Sequence, residues 1–286
     1  MDRLLPVTIL TAFIHMIITF HYSIRLAGLR TGRLFTAISI FNVVYLLASA
    51  SNVIQAPLLT SVIEHAIKAG TMQAGVAPAG QLPCAETYKE QLILLEGKLR
   101  LVMFASTAGT AAGALMIPAV VRVFIRAIRI FEEVGSVPVV FVRLFFSLPW
   151  RRAGAALPRF RPAALLIKKR MAIPKNILLI NIVVTGFYTT GVLSALYAGA
   201  MFPDFRSTAT SLSVIVNGFA VVIGSVVVEP VLSAITDQAM CGARNETDIK
   251  QLTLCMALTR LLGTVFAQVF FLPCAYLVEY FARLLA

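Results

Sequence analysis

The sequence predicts an all-α, polytopic integral membrane protein with about six transmembrane helices. Three observations carry this. The chain is 59% hydrophobic and only 13% charged, where soluble chains have roughly a quarter of their residues charged. Its apolar runs reach about 20 residues without strand-like alternation. Two stretches, one in each half, read as copies of each other. A membrane-spanning backbone must satisfy its own hydrogen bonds, which leaves helices or a closed barrel. The length and patterning of the runs select helices, and the mean hydropathy of +0.87 agrees.

The first span is expected over Leu5–Leu26, and the second over Leu34–Leu59, continuing as helix toward Lys68. A polar loop follows at 69–90, then a third span over Leu99–Val121. The first run has no small-residue cleavage site after it, so it reads as a retained span rather than a signal peptide. From Val120 to Val134, Arg122, Arg126, Arg129 and Glu133 share one helical face while Val, Ile and Phe fill the other. That pattern predicts a helix lying flat at the membrane interface. The segment from Ser136 to Trp150 is broken by Pro138, Arg143 and Pro149 and reads as interfacial or re-entrant. A basic, proline-spaced stretch runs from Arg151 to Lys175. The fourth, fifth and sixth spans are expected over Ile177–Met201, Thr208–Ile235 and Leu252–Leu277.

The echo between the halves is clearest where APLLTSVIEHA (56–66) faces EPVLSAITDQA (229–239). SIRLAG (23–28) faces SALYAG (194–199), Asn42 faces Asn217, and Gly109-Thr110 faces Gly263-Thr264. Three spans per half force the second copy to enter from the opposite side, so the halves form two inverted three-helix repeats. The chain then divides into a first repeat (1–121), an amphipathic basic connector (122–175) and a second repeat (176–286). Of the 25 lysines and arginines, 17 fall in the 1/2, central and 5/6 connectors. The positive-inside rule places those connectors in the cytoplasm and both termini outside. The net charge of +12 is therefore assigned to orientation and anionic lipid headgroups, not to nucleic acid.

Polar residues inside spans mark a pathway or a helix contact. Asn42, Tyr45, Ser49 and Asn52 form one stripe on the second span. Asn217, Gly224, Ser225 and Glu229 lie at comparable depths on the fifth. His15, Thr19 and Tyr22 line the first span, Asn181, Thr185 and Tyr188 the fourth, and Arg260, Thr264 and Gln268 the sixth. Glu229 and Arg260 either face a wet cavity or neutralise each other. Arg25, Arg30 and Arg33 cluster at the end of the first hairpin, and Arg206 holds the repeat-related place of Arg30 at the opposite end. Guanidinium forks grip phosphate bidentately, which offers a cation to an anionic head group at each exit. Cys84, Cys241, Cys255 and Cys274 show no metal-ligand spacing, so neither metal, cofactor nor disulfide is expected. There is no Walker lysine loop and no clustered acid, so an enzyme is not expected either.

The run Arg25–Leu59 (RLAGLRTGRLFTAISIFNVVYLLASASNVIQAPLL), with GVLSALYAG at 191–199 and FRSTATSLSVIVNG at 205–218, resembles the Amj family of bacterial lipid II flippases, the alternate to MurJ. The resemblance spans nearly the whole chain and implies transfer of the undecaprenyl-linked peptidoglycan precursor, lipid II, from the inner to the outer leaflet of the plasma membrane. The alternative left by residue patterning alone is a secondary transporter of another small or anionic solute, with Glu229 as a proton site.

Overall fold

The computed structural model describes residues 3–74, 85–147 and 173–285. Among them are only helices, six of which are long and apolar enough to cross a membrane. The first three spans are α1 (Leu4–Thr31), α2 (Leu34–Ala74) and α3 (Glu86–Val134). A short helix, α4 (Val137–Ser147), follows, and the fourth span is α5 (Lys175–Met201). The fifth is composite. A 3-10 turn (Pro203–Phe205) leads into α6 (Arg206–Ser211), α7 (Ser213–Ile223), a π-helical turn (Gly224–Val228) and α8 (Glu229–Met240). The sixth is α9 (Glu246–Leu285).

Turn chemistry explains two of the breaks. Gly32, at φ 68°, closes α1, and Gly135, at φ 64°, closes α3; both adopt the left-handed conformation that caps helices with glycine. At 41, 49 and 40 residues, α2, α3 and α9 are roughly 60–75 Å long, about twice the hydrocarbon thickness. They must project beyond it.

Two expectations need correcting. The helix foreseen as flat over Val120–Val134 is the uninterrupted continuation of α3. Its apolar stripe is covered by α4 and neighbouring helices, burying Val121, Phe124 and Ile128 together with Val140, so protein satisfies the amphipathicity that suggested lipid. The loop foreseen at 69–90 is shorter, because helix extends to Ala74 and resumes at Glu86. Residues 75–84, including Cys84, and the stretch 148–172 lie outside the described residues.

Within each half, one helix pair crosses closely at a glycine. A Cβ on Gly109 of α3 would fall on the Ala12 carbonyl of α1, and one on Gly113 would lie 2.8 Å from Thr19 Cβ. In the second half, a Cβ on Gly263 of α9 would lie 2.6 Å from the Ile182 carbonyl of α5. Small residues that admit a neighbouring backbone this closely are the usual basis of helix packing in lipid.

The apolar core is layered. One cluster gathers toward one end of the bundle, with Ile24, Phe41, Val121 and Met256; a second lies toward the other, with Val7, Leu59, Met103 and Phe271. Between those levels, the helices carry His15 on α1, Tyr45 on α2, Tyr188 on α5 and Arg260 on α9. The polar side chains therefore interrupt the core near mid-bundle. Among the described residues, packed interfaces join α2 to α1, α3 and α5, while its contact with α7 and α8 is slight at most.

Candidate functional site: a mid-bundle chamber with two buried arginines

Fourteen residues into α9, about 21 Å along its axis, Arg260 is 8% exposed. Its Nε and Nη2 are buried and have no hydrogen-bond partner among the described residues. A guanidinium is always protonated and presents five N–H donors. Leaving these two nitrogens, which carry three of the five donors, buried and unpaired is costly, so this cation is held at a structural disadvantage. Its charge is felt at His15 and His21 on α1 and at Tyr188 on α5. The Tyr188 and Tyr45 side chains meet across α5 and α2.

Below Tyr45 on the same helix is a cavity of about 260 Å³, lined by His21, Asn42 and Tyr45 with Ile18, Ile24 and Phe41. His21 also packs its ring against Phe41, 5.4 Å between centroids, and lies in the combined field of Glu229, Arg25 and Arg260.

Arg25, also 8% exposed, donates from Nη2 to Glu229 Oε2 at 2.5 Å and from Nη1 to Thr236 Oγ1 at 3.3 Å. Its Nε is buried without a partner. This pair ties α1 to α8, across the two halves of the chain. Glu229 sits immediately after the π turn, its N–H donating to the Gly224 carbonyl five residues back. Pro230 explains the irregularity: it has no N–H to offer the Val226 carbonyl, and its ring crowds that position.

A family model described as Amj, Alternate to MurJ, matches residues 10–282. The chain belongs to the Amj family. It is also similar to the lipid II flippase Amj of Bacillus subtilis (strain 168), with 32% identity over 273 residues that make up 94% of this chain and 93% of the relative. No solved structure matches the chain.

In this Amj-family member the candidate residues separate into three groups. Asn42 lines the cavity described above; Arg25 and Arg260 are buried elsewhere in the bundle, and Glu229 is paired with Arg25. Arg30 and Arg33 lie at one rim, where Arg30 Nη2 meets Glu246 at 2.8 Å and Arg33 Nε meets Glu132 at 2.7 Å. Arg206 lies at the opposite rim, 4.0 Å from Glu64, beside a second cavity of about 260 Å³ that includes Thr60, Ser207 and Thr210. Asn52 is exposed on α2, ten residues beyond Asn42. Asn217 does something else. Its side chain is wedged against Gly191 of α5, where a Cβ would overlap it, and its Oδ1 is buried without a partner.

Glu229 pairs with Arg25, not with Arg260, so the mutual neutralisation of Glu229 and Arg260 entertained from sequence does not occur. Many of the other polar residues are helix glue. Gln55 Nε2 donates to Thr11 Oγ1 at 2.7 Å, Asn181 Nδ2 to Thr259 Oγ1 at 2.8 Å and Ser194 Oγ to the Phe271 carbonyl at 3.1 Å. Gln268 likewise belongs to a clamp, donating to the Arg100 carbonyl while Arg100 Nη1 donates to the Gln268 carbonyl at 2.9 Å.

Sequence reasoning missed His21. The stripe of His15, Thr19 and Tyr22 drew attention to one face of α1, and His21 projects beside it. The available signal was its spacing of four from Arg25, which puts the two side chains one turn apart.

Proposed function

We propose that this chain is a lipid II flippase, carrying the undecaprenyl-pyrophosphate-linked peptidoglycan precursor from the cytoplasmic to the outer leaflet of a bacterial plasma membrane without covalent change. The substrate is inferred from the similarity to the Bacillus subtilis flippase, which extends over nearly the whole of both chains. The geometric observation that carries the reading is Arg260, a cation buried at mid-bundle with donors to spare. An intramembrane charge of that kind marks a substrate pathway, and a guanidinium suits a phosphate oxygen.

The pathway is a ladder of cations. Arg30 and Arg33 stand at the cytoplasmic rim, Arg25 one to two turns deeper, Arg260 at mid-depth and Arg206 at the outer rim. Asn42 and Asn52 on α2 offer amide contacts to sugar and peptide, whereas Asn217 anchors the fifth span against Gly191. The slight packing of α2 against α7 and α8 supports a lipid substrate over a small solute, because a polyprenyl tail must stay in the bilayer while its head crosses.

The two inverted repeats, 1–121 and 176–286, frame this path, with the basic connector 122–175 and both orientations as charge predicts: connectors cytoplasmic, termini outside. The crossings at Gly109 and Gly263, which face each other in the sequence echo, support that symmetry. Exposed Arg126, Arg129 and Arg143 suit anionic lipid headgroups.

The test is genetic and biochemical. In a bacterium depleted of its resident flippase, expression of this chain should restore growth and surface exposure of lipid II. Arg260→Ala and Glu229→Ala should insert in the membrane yet restore neither. Rescue by both variants would remove these residues from the pathway.

A further inference from the structure

Among the described residues two arginines are buried inside the bundle, and one acid is paired with the first of them. Arg25 and Arg260 are each 8% exposed, and Glu229 serves only the first. The interior is therefore short of one anion. The pair is also lopsided: the Arg25 side chain is 10% accessible and that of Glu229 is 44%. Arg25 is fixed behind, held by Thr236, while the carboxylate stands in front of it on the open side. Glu229 is moreover mounted on the least regular backbone in the bundle, between the π turn and Pro230. A π turn is a common site of local adjustment in helices that act.

These observations fit an exchange better than a fixed strut. A buried arginine left without an acid is strongly disfavoured, so whatever removes Glu229 must bring a negative charge of its own. A lipid-linked pyrophosphate does so.

We propose that Glu229 is a built-in stand-in for the substrate's pyrophosphate. It holds Arg25 until the incoming anion displaces it, and its return to Arg25 drives the anion out. The proposal rests on the flippase reading for the identity of the anion, and assigns Glu229 a competing role rather than a binding one.

The experiment measures equilibrium binding of undecaprenyl pyrophosphate to the full-length protein in nanodiscs, with uncharged undecaprenol as control, beside lipid II translocation in proteoliposomes. An internal competitor lowers apparent affinity by the fraction of time it occupies the site. Glu229→Gln should therefore bind the pyrophosphate at least about tenfold more tightly than the parent and translocate lipid II more slowly, because release loses its competitor. Arg25→Gln should bind more weakly by a similar factor. Equal or weaker binding by Glu229→Gln overturns the exchange. If that variant fails to fold, Glu229→Asp retains the charge but shortens the reach to Arg25, and it too must bind more tightly than the parent. A parent that binds the pyrophosphate but moves no lipid II refutes the flippase reading while leaving the exchange to be judged by binding. A parent that does not distinguish the pyrophosphate from undecaprenol refutes both.

Discussion

Replacing Arg260 by methionine should make the protein more stable and abolish its transport. In most buried positions, removing a charged side chain destabilises, because a partner is stranded. Arg260 strands nothing: no described residue accepts a hydrogen bond from its buried Nε or Nη2. A buried donor without a partner costs about 1–3 kcal/mol, and methionine fills similar volume with a flexible apolar chain. The expected gain is about 2 kcal/mol, or a rise in unfolding midpoint on the order of 5 °C. A thiol-reactive dye can read it in detergent, since Cys255 and Cys274 are buried and react only on unfolding, in a background where Cys84 and Cys241 are serine. Lipid II translocation, measured on the same preparation, should fall to background. Arg100→Met is the control of opposite sign, because Arg100 donates to Glu96 at 2.7 Å and to the Gln268 carbonyl at 2.9 Å and should destabilise when removed. If Arg260→Met lowers the midpoint, the residue is a structural support and the argument for a substrate cation fails.

Two glycines on α3 should respond oppositely to the same change. Gly109→Ala places a methyl on the Ala12 carbonyl and should cost about 1–3 kcal/mol, whereas Gly97→Ala, with open space around it, should stabilise by about 0.5–1 kcal/mol; thermal unfolding of the two variants checks the sign. Orientation is testable through Cys241, which is exposed in the 5/6 connector. In a Cys84→Ser background, a membrane-impermeant maleimide should label it in inverted vesicles and not in intact cells, and labelling in intact cells would reverse the assigned topology.

The spans were legible because lipid leaves little choice: each is a long apolar run, and the six helices contain all six expected segments. The helical extensions beyond the bilayer were not. Ala69–Ala74 and Glu86–Lys98 lie beyond the expected helix limits and lack the long apolar signal that marked the spans. The amphipathic pattern of Val120–Val134 fits a helix on lipid and a helix covered by α4 equally well, and only packing separates them. Within the bundle, Glu229, Arg25 and Arg260 were each visible as charges out of place. Which arginine the acid chooses depends on the contact of α1 with α8, 204 residues apart, and no local pattern encodes that.

The π turn offers a way to test whether the position of Glu229 is set by the backbone or merely tolerated by it. A π turn amounts to one extra residue within an α-helix, and each residue rotates the chain by about 100°. Deleting Val226, which is 68% exposed and has no packing role to lose, lets α7 and α8 join as one regular helix. The two ends of the fifth span cannot then both keep their contacts. If Asn217 stays against Gly191, Glu229 turns about a quarter of the way around the axis and leaves Arg25 without an acid. If Glu229 stays, Asn217 must enter backbone space that Gly191 now leaves free for it in one orientation only. Either outcome separates the two anchoring contacts of the span, so the deletion variant should insert in the membrane, unfold at a lower temperature and fail to translocate lipid II. Reinserting alanine at the same place should restore both properties, because what matters there is the count of residues and not the side chain. A deletion variant that transports normally would mean that the register of Glu229 against Arg25 is dispensable, and the exchange of carboxylate for pyrophosphate would have no structural basis.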